Sequence, residues 1–299
     1  MLRALLELSR VSNLPTVWTN VLAAWIIASG EEWQWSPALG WLLLGAFLIY
    51  SAGMILNDAC DVAWDRDHRP ERPIPSGRIG LKTVWFISLA GLAIGYALMV
   101  FGGGASWKIT ALLVAAVVAY DVYHKPWAGS VVIMGACRTL LYLAAGSAAI
   151  TLRGDMADPQ WGILGTSGTL LGLYIVALTL IARGEAKGGM EYFHHVPLML
   201  LLIMPFGFGV MLDSKFSHKL PFLPSWEWII ALWFITWTAL ALWKMKERGA
   251  AIGQAVGLLL AGIPLVDALF VAPLSLPAAL VFCALPPFLR LWQRWIAAT

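Results

Sequence analysis

Apolar residues occur along this chain in long uninterrupted segments, separated by short stretches of charged residues, glycines and prolines. A helix crosses the hydrocarbon core of a bilayer in about 20 residues, and eight segments are long enough to do so. They lie near residues 13–30, 38–57, 83–102, 107–122, 129–150, 161–182, 193–212 and 226–245. Residues 252–272 and 275–293, interrupted by prolines, form either two short spans or one span and a re-entrant piece. The pattern therefore predicts nine or ten transmembrane helices.

Composition points to the same class of protein. Of the 299 residues, 60% are hydrophobic and 12% are charged, whereas a soluble domain carries about 25% charged residues. Since lipid offers the backbone no hydrogen-bond partner, long apolar segments in a membrane must be helical. We predict an all-α, polytopic transmembrane helical bundle that forms one domain over residues 1–299. This composition excludes a secreted enzyme, a nucleic-acid binder and a disordered scaffold.

Basic residues are distributed unequally between the two sides of the predicted bundle. If the N-terminus is cytoplasmic, most Lys and Arg residues between the spans lie on the cytoplasmic side. Cytoplasmic loops of membrane proteins carry this excess, so we predict that orientation. The three cysteines lie in or beside apolar segments without paired spacing, which predicts neither a disulfide framework nor a zinc site.

Three carboxylates and an amide follow the second span at helical spacing. Neighbours among Asn57, Asp58, Asp61 and Asp65 are mostly three or four residues apart, so they share one helix face if the helix continues. Like charges at this spacing repel each other, more strongly where solvent is scarce. A divalent metal would relieve the repulsion, and Mg²⁺ takes carboxylate oxygens while leaving positions for substrate phosphates. The alternative is a solvated acidic helix end.

A proline-rich loop with four arginines comes next. Residues 66–78 read RDHRPERPIPSGR. Guanidinium groups beside a metal would bind a diphosphate, whose charge the two together neutralise. The excess of basic residues in cytoplasmic loops accounts for part of the arginines, but not for the prolines.

The motif Asn57-Asp58-x-x-Asp61-x-x-x-Asp65, followed by Arg69-Pro-x-Arg72-Pro-Ile-Pro-Ser-Gly, resembles the first aspartate-rich motif and loop of the UbiA superfamily of intramembrane prenyltransferases. The order of spans extends the similarity over nearly the whole chain, and residues 9–20 resemble the EboC-like branch. The resemblance implies a bundle around a central cavity, where a polyprenyl diphosphate binds through Mg²⁺ and its tail lies among the helices. It implies metal ligation by the four motif residues and substrate contacts by Arg69 and Arg72.

Further polar residues are expected at the same end of the bundle. The fourth span ends in Asp121, Tyr123 and Lys125, and family members commonly carry a Tyr and a Lys there. We expect Lys125 to hold phosphate as a point charge, with Asp121 and Tyr123 near the substrate. The alternative is an interfacial aromatic pair beside a Lys that extends to the membrane surface.

Some of the polar residues inside the predicted spans are candidates for a role within the bundle. Arg138 needs a partner or a wet cavity there, so we expect it to point inward, either to one of the aspartates or to the phosphates. Asn13 and Asn20 share a helix face, from which they could donate hydrogen bonds to an acceptor substrate, although hydrogen bonds between helices are the simpler role. Asp267 is interpreted as a polar packing residue or a cavity liner.

The end of the sixth span departs from the family pattern. A second Asp-x-x-x-Asp motif is expected there, but this chain has Arg183, Glu185, Lys187 and Glu191. Arg183 and Lys187 share a helix face, and with Glu185 they would contact a diphosphate held at one metal site. Alternatively, the chemistry of this chain has diverged.

These features together predict a Mg²⁺-dependent membrane prenyltransferase that moves an isoprenyl group from a polyprenyl diphosphate to a small or lipophilic acceptor. The expected catalytic residues are Asp58, Asp61, Asp65, Lys125 and Arg138. The expected surroundings are membrane lipids, in the inner membrane of a prokaryote. Two alternatives stay open: a terpene cyclase built on the same scaffold, and a non-catalytic carrier of an isoprenoid or another lipid.

Overall fold

The structure is a computed structural model that describes residues 2–123, 127, 129–154, 160–186, 195–216, 226–245, 250–293 and 295. Within these residues the chain is helical and contains no strand. The helices are α1 (Leu2–Leu8), α2 (Leu14–Ser29), α3 (Pro37–Cys60), α4 (Val62–His68), α5 (Leu81–Ala97), α6 (Trp107–Tyr123), α7 (Ser130–Arg153), α8 (Gln160–Ala186), α9 (His195–Phe216), α10 (Trp226–Met245), α11 (Ala250–Ala261), α12 (Ile263–Val271) and α13 (Leu276–Trp292).

Each of the ten predicted apolar segments falls on helical structure, as far as its residues are described. Seven helical stretches in the described part are long and apolar enough to cross a membrane, whereas α6 and α13 have 17 residues each. The segment 252–272 consists of two helices, α11 and α12, which are separated at Gly262, and Pro264 lies in the first turn of α12. Proline suits the first turn of a helix, where its missing N–H costs nothing. The protein is an integral, multi-pass membrane protein, as predicted.

The centre of the bundle is formed by α2 and α12. Helix α2 packs against α3, α7, α8 and α12, and every residue of α12 is buried. A helix that is apolar all round belongs in the interior, which explains why the short α12 lies inside the bundle. The polar groups that α2 and α12 carry are therefore surrounded by protein.

Small residues allow two pairs of helices to approach closely. A Cβ atom placed on Gly45 of α3 would lie 2.8 Å from the carbonyl oxygen of Gly95 on α5, and the reverse substitution gives the same distance. At the contact of α7 with α8, a Cβ on Gly135 would lie 2.6 Å from the carbonyl oxygen of Gly172. Such contacts hold membrane helices together by van der Waals packing. They fix α3, which carries Asn57 and Asp58, and α7, which carries Arg138.

The loop between α4 and α5 folds back onto α1 and the end of α3. Ile74 and Ile79 are buried in a small apolar cluster with residues of α1, α3 and α5. The Ser76 hydroxyl donates to the Arg72 carbonyl oxygen at 2.6 Å, and Arg78 forms a 2.8 Å ion pair with Glu7 of α1. The loop thus has a defined course, which returns Arg72 to the aspartates. We call this side of the bundle the aspartate end.

Candidate active site

The helix that carries the aspartates continues almost without interruption from α3 into α4. The Asp61 N–H donates to the Asn57 carbonyl oxygen at 3.0 Å, and the Asp65 N–H donates to the Asp61 carbonyl oxygen at 2.9 Å. The backbone therefore keeps helical spacing through the turn at Asp61. Asp58 and Asp65 are only 6% and 1% exposed, so their charges lie out of bulk solvent.

Two arginines neutralise these carboxylates. Arg72 Nη1 donates to Asp58 Oδ1 at 3.0 Å and to Asp65 Oδ2 at 3.1 Å. Arg10 Nη2 lies 3.6 Å from Asp58 Oδ1. The backbone of Arg10 has a φ of +45°, which is rare for a residue with a side chain and recurs at functional sites. Part of the positive charge that the sequence assigned to a metal is thus supplied by the chain itself.

Helix α6 reaches the site through a pair of polar side chains. Asn57 Nδ2 donates to Asp121 Oδ1 at 3.2 Å, and Asp121 is 2% exposed. Asp121 is therefore brought to the aspartate end, where it was expected. Tyr123 lies at the same end of α6 but is 55% exposed. Asp61 is half-buried at the turn between α3 and α4.

The basic residues expected around the substrate occupy different positions. Arg183 Nη2 donates to the Ser130 hydroxyl at 2.6 Å. Ser130 is the first residue of α7 and follows closely on the end of α6, which carries Asp121, so Arg183 lies at the aspartate end. The exposed Arg69 instead lies 5.4 Å above the Trp64 ring, so the structure does not bring it to the aspartates. Lys125, Lys187 and the side chain of Glu185 lie outside the described residues.

Arg138 points into the bundle, as expected, but its partners lie on α2. Its Nη1 donates to Asn20 Oδ1 at 2.6 Å, and its Nη2 donates to the Thr16 hydroxyl at 3.1 Å. Its guanidinium carbon is 5.9 Å from the centre of the Tyr50 ring. Among the described residues, no carboxylate forms an ion pair with Arg138, so the expected bridge to one of the aspartates is absent there.

Sequence reasoning missed two residues and underrated a third. Arg10 immediately precedes the first span, so its position at the aspartate end could have been read from the order of spans. Tyr50 precedes Asn57 by seven residues and so shares its face of α3. Asp267 binds both Asn20 and Tyr142, and a lone carboxylate inside an apolar segment was the available signal.

The aspartate end offers part of a magnesium site. Asp65 Oδ1 is buried and has no hydrogen-bond partner among the described residues, and such an atom requires a water or a cation. Oxygens of Asp58 and Asp65 already converge on one cationic nitrogen, and carboxylate oxygens suit Mg²⁺. As they stand, however, the described side chains form no group of three Asp, Glu, His or Cys that could hold a metal. Arg72 occupies the position between the two aspartates, so these residues fit the ion once Arg72 moves.

Known proteins match this chain in sequence. A family model described as the UbiA prenyltransferase family matches residues 16–194. The digeranylgeranylglyceryl phosphate synthase of Sulfolobus acidocaldarius is 34% identical over 93 residues, 31% of this chain and 33% of that protein. The synthase of the same name from Ignicoccus hospitalis is 31% identical over 193 residues, 64% of this chain and 60% of that protein. The chain therefore aligns with between a third and three fifths of the length of these relatives.

A solved structure shares the fold. The structure of a UbiA homolog from Archaeoglobus fulgidus bound to DMAPP and Mg²⁺ superposes with a TM-score of 0.56 at 15% sequence identity, and the match covers 94% of this chain and 99% of that chain. At this identity the likeness shows a common helical bundle.

Proposed function

Because this chain belongs to the UbiA prenyltransferase family, we propose that it is a Mg²⁺-dependent membrane prenyltransferase. It transfers an isoprenyl group from a polyprenyl diphosphate to a small or lipophilic acceptor. The catalytic unit comprises residues 1–299, and the aspartate end faces the cytoplasm from the inner membrane of a prokaryote. The observation that carries this proposal is the convergence of Asp58 and Asp65 on Arg72.

That convergence supplies the groups that a diphosphate and its metal require. Two buried carboxylates with two arginines, Arg10 and Arg72, lie at the mouth of an apolar bundle. Carboxylates suit the metal, whereas guanidinium forks suit phosphate oxygens. A purely structural ion pair would not explain why one buried carboxylate oxygen of Asp65 has no hydrogen-bond partner within the described part of the chain.

Asn57, Asp58, Asp61 and Asp65 would hold the magnesium ion. When bound, Mg²⁺ neutralises charge on the departing diphosphate. Arg72 then leaves the aspartates for the phosphate oxygens, where Arg10 and Lys125 also bind. Arg69 and Tyr123, which are exposed, contact the substrate only at the rim of the site.

The basic residues at the end of α8 replace the second acidic motif of the family. Arg183 lies at the aspartate end with its side chain directed to α7. With Lys187 it binds the far phosphate, so that one metal site suffices. The carboxylate of Glu185 can only accept hydrogen bonds, so it would contact the diphosphate only through these cations. Charge-assisted hydrogen bonds from Arg to phosphate are about twice as strong as neutral ones, which makes this replacement energetically reasonable.

The transfer itself breaks one bond and forms another. The bond between the first prenyl carbon and the bridging oxygen breaks, and its electron pair stays on the diphosphate. The acceptor donates an electron pair to the allylic cation and loses a proton, which the diphosphate accepts. Charged groups at the leaving oxygen lower the barrier because they are already in place, and the apolar helices exclude water that would trap the cation.

Purified protein, incubated with diphosphates of several chain lengths, tests the proposal. We expect diphosphate release and a prenylated product when cell-extract acceptors and Mg²⁺ are present, and no release after chelation with EDTA. Release without any acceptor, giving a cyclised product, would instead indicate a terpene cyclase. Binding of the prenyl diphosphate without release would indicate a carrier, and the proposal would then be wrong.

A matched pair of variants tests the site itself. Asp65→Asn should lower turnover at least about 100-fold, because it weakens the metal site and the charge that supports the reaction. Asp67→Asn, the same chemical change at an exposed position of α4, should leave turnover unchanged. Equal activity of the two folded variants, compared by mass spectrometry of products, would contradict the assignment of Asp65.

A further inference from the structure

A chain of buried polar groups joins three helices in the middle of the bundle. Arg138 of α7 donates to Asn20 Oδ1 at 2.6 Å, and Asn20 Nδ2 donates to Asp267 Oδ2 at 2.7 Å. The Tyr142 hydroxyl binds the other carboxylate oxygen of Asp267 at 2.5 Å. Asn20, Tyr142 and Asp267 have no exposed surface. A positive and a negative charge are thus linked through one amide.

The hydrogen-bond donors in this network determine the orientation of the Asn20 amide and favour an ionised Asp267. Arginine can only donate, so the Asn20 oxygen must face Arg138 and its NH₂ group must face Asp267. Asp267 therefore accepts at one oxygen and binds a hydroxyl at the other, and both contacts favour the ionised carboxylate. With Asp267 ionised, the network as a whole is electrically neutral.

The network lies deeper than the aspartates. Tyr50, against which Arg138 packs, precedes Asn57 by seven residues on α3, which corresponds to about 10 Å along a helix. A diphosphate bound at the aspartate end would direct its first isoprene unit to this depth. Arg138 is only partly buried, although its head group lies among helices α2, α3 and α7. Under the proposed function, its charge would act on the space in which an allylic cation forms.

An unbalanced positive charge at that place would oppose the reaction. Two like charges separated by several ångströms in a protein interior repel each other enough to slow a reaction by about 10- to 100-fold. Asp267 removes most of this effect because its charge lies one amide away. Pairing with Asp267 also allows the guanidinium group of Arg138 to lie within the membrane-spanning part of the bundle, where an unpaired charge is costly.

We propose that Asp267, acting through Asn20, is a positioning residue that balances the charge of Arg138 and fixes its direction beside the reacting prenyl carbon. The inference rests on the proposed function. It assigns Asp267 and Asn20 a role in the rate of the chemical step, and not in the binding of the diphosphate.

Kinetics with a prenyl diphosphate and Mg²⁺ test the inference. Asp267→Asn keeps the shape of the side chain and leaves Arg138 unbalanced, so kcat should fall about 10- to 100-fold while KM for the diphosphate changes less than about threefold. The double variant Asn20→Asp with Asp267→Asn moves the carboxylate next to Arg138 and preserves every hydrogen bond and the net charge. Its kcat should return to within about threefold of the original protein.

The swap separates charge balance from simple packing. Thermal unfolding in detergent identifies variants that do not fold, and Asp67→Asn serves as a control for the same chemical change at an exposed site. If Asp267→Asn does not fold, the double variant Asn20→Asp with Asp267→Asn alone tests the inference. The inference is then wrong if the double variant does not fold, or if it folds but has no activity. An active original protein whose kcat is unaffected by Asp267→Asn also overturns it. An original protein without diphosphate release overturns the proposed function and this inference together.

Discussion

Under the proposed function, Arg72 would serve two states of the site. Its guanidinium bridges Asp58 and Asp65 at 3.0 and 3.1 Å, which relieves the repulsion between two buried carboxylates. The same group is the strongest candidate for a phosphate contact in the loop. We propose that the aspartates and the phosphates compete for Arg72, which would couple metal binding to substrate binding.

Replacement of Arg72 by Ala should therefore change two affinities in opposite directions. Without the guanidinium group that competes for the aspartates, Mn²⁺ should bind the free protein about 3- to 10-fold more tightly. The prenyl diphosphate should bind about 10- to 100-fold more weakly, since a hydrogen bond to a charged group contributes about 1.5–3 kcal/mol. Electron paramagnetic resonance of Mn²⁺ and a ligand-binding titration measure the two effects. The control is Arg66→Ala on the exposed side of α4. A parallel loss of both affinities would contradict the competition.

At the scale of the helices, close packing against glycine holds the site-bearing elements in position. Helix α3 carries the aspartates and contacts α5 through Gly45 and Gly95, where the two backbones approach without side chains between them. Membrane helices associate through such contacts because lipid provides no hydrophobic force between them. The position of the aspartates thus depends on residues more than ten positions away along the helix.

Two glycines of α3 allow a matched test of this packing. Gly45→Ala places a Cβ 2.8 Å from the Gly95 carbonyl oxygen and 3.0 Å from the Met99 nitrogen, so it should destabilise the fold by about 1–3 kcal/mol. Gly40→Ala meets nothing within 4 Å and should be neutral or stabilising by about 0.5–1 kcal/mol. Unfolding in increasing SDS measures both. Equal stability of the two variants would rule out a close α3–α5 contact.

At the scale of the whole molecule, the two ends of the bundle differ in chemistry. The aspartate end collects buried carboxylates and arginines. The opposite end, where α2 stops and α3 starts, has a cavity of about 620 Å³ lined in part by Trp25, Glu31 and Arg153. The order of spans predicts that the aspartate end faces the cytoplasm, since that side carries more basic residues.

Cysteine labelling tests this orientation. In a background that replaces Cys60, Cys137 and Cys283 by Ala, Gln34→Cys should react with a membrane-impermeant maleimide in intact spheroplasts. Glu71→Cys, in the loop beside Arg72, should react only after lysis. Both positions are exposed in the structure, so a difference in labelling reports the side of the membrane. The reverse pattern would invert the predicted topology.

The sequence alone determined the positions of the spans and the register of the aspartates. Both are local properties: the length of an apolar segment decides whether it can cross a bilayer, and spacing within one helix decides which residues share a face. The motif from Asn57 to Asp65 was therefore recognisable, as was the grouping of Asp121 with it, because alternate span ends meet at one side of the membrane.

Only the tertiary structure decided which charged groups contact each other. Arg10, which precedes α2, lies beside Asp58 at the end of α3, and Asn20 binds Asp267 over a separation of 247 residues. The sequence predicted that Arg138 points inward, but left open whether its partner is an aspartate or a phosphate. In the structure, the hydrogen-bond partners of Arg138 lie on α2. No local pattern encodes such pairs, because they depend on which helices pack together and at what depth. That choice is made by close packing along the entire length of the bundle.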